Sequence, residues 1–387
     1  MKKGAYALCV FLCVFLFAVA NSTHGALLTR EVDFYRLDSY RKGMAVAAQN
    51  LGSLAALISS LWVIGALSKP RLLWLATAAT AALLLPIGLA PAFPVFVALF
   101  GLLGVSVGYI DTLASSAMAD LYQGKAAARM MCVLHAVFGT AGIACPLLFQ
   151  WMLRSGAVGG WNQIFLWIAG LGGLILLYAV PVARRREKET NAQGAAMQRF
   201  TMNGFARFFH AGRPLMLLAV SFNSLYLAGI AVWVNRYVGE TLGSPDLGSL
   251  ALSMLWVGTT ASRLLTPLLP FSPVKIIGWS SLASAALLAI GVLSGSAVAM
   301  CAATLLAGLL AGANIPLILH VVSDQFRENT AMATTITFIA LYVAQSISSP
   351  LMGAIESVWG LAAGMLLCAA SLAISGGFAF LMRRRIA

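Results

Sequence analysis

An all-helical integral membrane protein, with twelve transmembrane helices in two related halves, is the fold that three observations predict. The chain of 387 residues is 60% hydrophobic and only 10% charged, whereas soluble domains average about 25% charged. Its apolar runs are long enough to cross a bilayer core, which takes about 20 helical residues at about 1.5 Å each. Residues of the first half also recur in the second at a fixed distance of 204 positions.

The expected spans are 4–28, 43–67, 72–92, 94–120, 127–153, 161–183, 214–239, 247–269, 274–293, 296–322, 330–353 and 358–382. Lys2 and Lys3, followed by Ala18-Val19-Ala20, mimic a secretory leader. The apolar run continues to Leu28, so a retained span is expected. Eighteen basic residues, among them Lys69, Arg71, Lys125 and Arg383, fall on one side of this arrangement and six on the other. That bias predicts a multi-pass protein of the cell (inner) membrane with both termini cytoplasmic. The linker opening RRREKETNAQG divides the chain into a six-helix bundle over 1–183, a basic cytoplasmic linker over 184–213 and a second bundle over 214–387.

The repeat needs no gap over its best stretch. Ser68 aligns with Ser272, Arg71 with Lys275, Gly104 with Gly308, Gly108 with Gly312, Asp120 with Asp324 and Pro146 with Pro350.

Several functions are excluded. The net charge is +13, but the basic residues sit in short connectors, so no nucleic acid is expected as partner. All six cysteines lie inside apolar runs and imply neither disulfides nor a metal. There is no phosphate loop, ligand cluster or nucleophile with an oriented base. The chain is therefore expected to be no enzyme and to need no cofactor. A gradient of ions or solute must supply its energy.

Asp111 is the chemically informative residue. Of the twelve acids, it alone lies deep in a span, about 13 Å from Asp120 along the helix. A charge at such depth costs about 3 kcal/mol or more and marks a functional candidate. His135 lies at comparable depth in span five. Asp111 is read as the group that takes and releases a proton, with His135 as its partner or as a substrate ligand. The competing reading is a structural hydrogen bond. Ser115 follows Asp111 by one turn on the same face. Amides and imidazoles concentrate in particular spans: Asn21 and His24 in span one, Gln49 in span two, Asn223 in span seven and Gln345 in span eleven. Asn314 precedes Pro316, which interrupts span ten. Trp233 is either a platform for a sugar ring or packing. Arg263, inside span eight, is read as a conformational latch or as a snorkelling cation. Asp120 and Asp324 close the gating set. These residues predict a carrier for a small polar solute.

The chain resembles the major facilitator superfamily, and within it the fucose permease-like sugar symporters. The resemblance rests on Gly108-Tyr-Ile-Asp111-Thr112, then Leu134-His135-Ala-Val-Phe138-Gly139 with Gly142 and Pro146. Phe17-Ala-Val-Ala-Asn21, Trp256-Val-Gly258, Ser262-Arg263, and Trp233 with Tyr237 are also similar. Ser115 stands where the family often has Asn, and Gly25 where fucose permease has an acid. Gly65-Ala-Leu67-Ser-Lys69-Pro-Arg71 keeps the glycine and basic ends of the superfamily's loop between spans two and three but lacks its Asp. The resemblance implies a monomeric, proton-coupled importer working by alternating access in the lipid bilayer. The alternative is proton-coupled efflux of drugs or amphipathic metabolites, faintly echoed by Gly142-Ile-Ala-Cys145-Pro146.

Overall fold

A computed structural model of the chain describes residues 3–37, 44–63, 66–192, 202–209 and 213–386. The first half comprises α1 (Lys3–Asn21), α2 (Thr23–Tyr35), α3 (Met44–Val63), α4 (Lys69–Gly88), α5 (Phe93–Leu121), α6 (Gly124–Arg154) and α7 (Gln163–Ala192). The second comprises α8 (Met202–Phe208), α9 (Arg213–Arg236), α10 (Pro245–Leu265), α11 (Pro273–Leu293), α12 (Ala297–Ala311), α13 (Asn314–Gln325) and α14 (Thr330–Ile386). Among the described residues no strand occurs, as a bilayer requires of any backbone that does not close into a barrel. Ten segments are long and apolar enough to cross a membrane. The shorter α3, apolar over Ala47–Val63, and α10 complete the twelve.

The boundaries differ from expectation where side chains carry the helix past the apolar run. The apolar span Lys3–Asn21 is followed, after a break at Ser22, by α2, which carries the helix on to Tyr35. Span three begins at Lys69 because Pro70 suits a first helical turn, and it ends at Gly88, before the left-handed Ala90 (φ 51°). Span six runs on to Ala192, beyond the boundary expected at 183. Spans eleven and twelve form one helical element whose only non-helical residue is Gly360 (φ 79°, ψ 170°).

Contacts group Met1–Leu121 with Val137–Phe200 as one unit, and Tyr122–Ala136 with Thr201–Ala387 as the other. The first turns of α6 thus belong with the C-terminal half. In the first unit α1 is the central helix, with Cys9, Val10, Cys13 and Leu16 fully buried. It packs against α4, α5 and α7. In the second unit α9 and α11 pack on α14, and α10 on α12.

The sequence repeat reappears as repeated geometry. Ser68 and Ser272 precede α4 and α11 with the same backbone angles, φ −67° and ψ 143°. In the first unit α3 crosses α5 backbone to backbone, and a Cβ on Gly104 would stand 2.0 Å from the carbonyl oxygen of Gln49. In the second unit α10 crosses α12 in the same way, and a Cβ on Gly308 would stand 2.5 Å from the carbonyl oxygen of Leu255. Small residues permit such approach in a membrane, where hydrophobic burial does not drive helices together.

A paired substitution tests this crossing. Gly104→Ala should destabilise the detergent-solubilised protein by about 1–3 kcal/mol, the usual cost of overpacking. Gly101→Ala, whose new Cβ meets nothing nearer than 3.7 Å, should leave the melting temperature nearly unchanged. Equal effects would show that the crossing is not tight.

Candidate functional site

In the first unit, polar side chains gather where span one breaks. The Ser22 hydroxyl donates to the Ala18 carbonyl (2.8 Å) and the Thr23 hydroxyl to that of Ala20 (2.7 Å). These local bonds compete with the helical ladder. Beside the break, Gln49 Nε2 donates to Asn21 Oδ1 (3.0 Å), joining spans one and two through two of the expected binding residues. One turn along α3, Ser53 Oγ donates to the Gly104 carbonyl (3.0 Å). The side chain of His24 lies outside the described residues.

Asp111 is half-buried on α5. Thr112 and Ser115 beside it are wholly buried, and the hydroxyl oxygen of each has no hydrogen-bond partner. At the end of α5, Lys69 Nζ donates to Asp120 Oδ2 (2.6 Å) and fastens the start of span three to the end of span four. The matching Asp324 pairs instead with Arg327, three residues away on the exposed surface. A local exposed pair of that kind contributes little, so the two acids that match in sequence do different work.

The second unit is organised around the interruption of span ten. Pro316 has no N–H, so the Gly312 carbonyl lacks its helical donor. Arg263 Nε supplies one at 3.2 Å. Ser262 Oγ accepts from the Ala313 N–H (3.1 Å). Arg263 Nη1 donates to the His135 carbonyl (2.9 Å). One guanidinium therefore bridges the break in span ten and the first turns of α6. At 5% exposure Arg263 does not snorkel. His135 Nε2 is buried and unpartnered. Asp111 belongs to the first unit and His135 to the second.

Asn314 has a different environment from the one expected of a ligand. It is fully buried, accepts from Ser280 Oγ (2.8 Å) and donates to Ser281 Oγ (2.9 Å). Both ends of its amide hold α13 to α11. Asn223, 2% exposed on α9, keeps its Nδ2 unpartnered. Trp233 lies two to three turns further, with a buried, unpartnered Nε1. The Arg236 guanidinium covers one face of its ring at 5.7 Å. Tyr226, a candidate stacking partner for Trp233, is packed into the apolar core. Gln345 is half-buried on α14.

Three groups of residues were not singled out from the sequence. Ser280 and Ser281 were missed because serine pairs are common in membrane helices. Arg236 was counted only among the six basic residues of one side, yet it pairs with Glu240 (2.8 Å) and with Glu356 on α14 (2.7 Å). A five-residue π segment, Tyr237–Thr241, follows it, a local irregularity frequent at functional sites. Glu31 was sorted among the acids of loops and span ends, and its burial on α2 was not foreseen.

Comparisons with known proteins place this architecture. The chain is similar in structure to the fucose:proton symporter FucP of E. coli, with a TM-score of 0.78 and 16% identity over 99% of both chains. It is also similar to the proton:xylose symporter XylE, solved with 6-bromo-6-deoxy-D-glucose bound (TM-score 0.71, 15% identity, 98% of this chain and 95% of that one). The human organic anion transporter MFSD10 matches comparably (TM-score 0.73, 16% identity, 98% of this chain and 100% of that one). At such identities these likenesses show the fold alone. No match was found among curated protein sequences. The model of the Major Facilitator Superfamily matches residues 10–270. With two thirds of its length under that model and a twelve-helix fold of the same kind, the chain belongs to the Major Facilitator Superfamily and is a membrane transporter, not an enzyme.

Proposed function

We propose that this transporter imports a small polar solute, of the size and hydrogen-bonding character of a sugar, together with protons, by alternating access. The observation that carries the reading is a group of five buried polar atoms without partners, among the twelve of that kind in the described residues. Thr112 Oγ1, Ser115 Oγ, His135 Nε2, Asn223 Nδ2 and Trp233 Nε1 are each held away from water with no hydrogen bond. Each such group costs about 1–3 kcal/mol. A solute rich in hydroxyls satisfies groups of this kind, whereas an amphipathic cation does not. The proton:sugar symporters among the structural neighbours support the same choice.

In this reading Asp111 carries the coupled proton. Its neighbours Thr112 and Ser115 offer hydroxyls to the solute or to water. His135, Asn223, Trp233 and Gln345 present groups on the second unit, and Asn21 with Gln49 on the first. Asn314 serves as structure, since its amide is occupied. Arg263 is the latch, and its grip on the His135 carbonyl makes the break in span ten sensitive to span five. Lys69 with Asp120 fastens the cytoplasmic end of the first unit. The basic bias of the connectors supports cytoplasmic termini.

Solute-driven proton movement in proteoliposomes tests the coupling, with sugars and amphipathic cations as the two arms. Asp111→Asn should abolish sugar-driven proton uptake, at least tenfold below wild type, while sugar exchange persists. Normal coupling in the variant would overturn the assignment, and proton movement driven only by amphipathic cations would overturn the solute class. Arg263→Ala should lower stability by about 1.5–3 kcal/mol, the range for hydrogen bonds to a charged group. Arg263→Lys should recover only part of it, because an ammonium cannot reproduce the fork that meets two carbonyls. Thermal unfolding in detergent measures both.

A further inference from the structure

Glu31 takes no part in the chemistry above. It stands on α2, two turns beyond the break in span one and one turn before Tyr35. Its residue is 3% exposed, and its Oε1 makes no hydrogen bond. The turn that carries it is fixed by aromatic packing. Phe34 meets Trp161 at 5.5 Å, and Tyr35 meets Phe93 at 5.4 Å and Phe96 at 5.2 Å. The Tyr35 hydroxyl donates to the Pro91 carbonyl (2.8 Å).

Among the described residues nothing neutralises the Glu31 carboxylate. On its own helix Arg30 and Asp33 are exposed, as is Arg36 just past its end, the side chain of His24 lies outside the described residues, and among the described residues none pairs with Glu31. The residues packed on the neighbouring Phe34 and Tyr35, namely Pro91, Phe93, Phe96 and Trp161, do not titrate. Among the described residues Tyr35 is the titratable group that feels Glu31. Glu31 follows Lys3 by about 42 Å along α1 and α2, farther than the ~30 Å hydrocarbon core, and lies past the apolar span Lys3–Asn21. Glu31 therefore sits at the membrane surface opposite Lys3, beyond the spanning part of the chain.

We propose that Glu31 is a second proton-binding group of the transporter: protonated, it lets α2 close onto the aromatic cluster, and ionised, it draws water and opens that end of span one. The role in transport rests on the proton-coupled reading; the link between proton and closure does not. Burial pushes the Glu31 carboxyl up from 4.5 to about 7. The Tyr35 phenol is pushed up to about 12, by burial first and then by Glu31. A carboxyl raised in the closed form binds its proton more tightly there than when open. Closure is thus fully supported below about pH 4.5 and is lost as pH rises towards 7.

Hydrogen exchange of the full-length protein in detergent, corrected for intrinsic rates, tests this between pH 4.5 and 8. Opening of the 23–35 segment should rise by about tenfold per pH unit and level off above about 7. Glu31→Gln should hold the segment protected at every pH. An identical pH profile in wild type and Glu31→Gln would overturn the proposal, as would a flat profile in wild type. A melting curve at about pH 4, where the two should coincide, establishes that the variant is folded. If the exchange slope is present but no solute moves protons in proteoliposomes, the coupling reading fails and the Glu31 linkage stands. If the slope is missing while coupling persists, Glu31 fails and the coupling reading stands.

Discussion

The close crossing of two helices, backbone against backbone, is the constraint on which each half of this protein depends. In the first unit α3 lies against α5 with no room for a side-chain atom at Gly52 or Gly104. In the second, α10 lies against α12 with none at Gly258 or Gly308. In a bilayer the lipid is as apolar as the protein, so contact area alone does not hold helices together. Close approach brings dispersion and short carbonyl contacts into play. It also sets the register of everything carried by these helices, including Ser53 on the Gly104 carbonyl and Ser262 on the Ala313 amide. The polar groups can be arranged because the crossings leave few other positions for them.

Against that rigid background, polar residues divide into two kinds. Some close a circuit within the protein, as Asn314 does with Ser280 and Ser281. Others are buried with an atom facing no partner, as Ser115, His135 and Asn223 are. The first kind fixes the fold. The second has a cost that only an additional molecule or a proton offsets. Arg263 belongs to the first kind, but it spans two pieces that the sequence keeps far apart, and it makes the shape of span ten depend on span five.

Much of this was legible in the sequence, for reasons set by the solvent. A bilayer forces apolar runs of fixed length, so the span count followed from composition. Duplication left Ser68 and Ser272 in identical backbone conformations. The depth of Asp111 followed from counting turns. What was illegible depended on helix rotation and on neighbours distant in sequence. Asn314 looked available because nothing in its own span shows that two serines of α11 face it. Trp233 looked like an open platform because nothing in its own span shows that the Arg236 guanidinium lies over its ring. Span one was cut short at Leu28 because Arg30 and Glu31 interrupt the apolar run. The helix nevertheless continues, since Phe34 and Tyr35 find aromatic partners on α5 and beside α7. In each case a polar residue was judged by its composition when its contacts decided.

The join at Gly360 has a mechanical consequence. Spans eleven and twelve meet through one residue whose φ of 79° suits glycine and strains other residues. Val358 and Trp359 just before it stand outside the packed bundle. Most helical hairpins are hinged by several residues that absorb motion as slack. Here two torsion angles make the whole corner, so the hairpin behaves as a bent crank. A twist applied to span eleven, which Glu356 ties to Arg236 on α9, is delivered to span twelve with almost no lost motion.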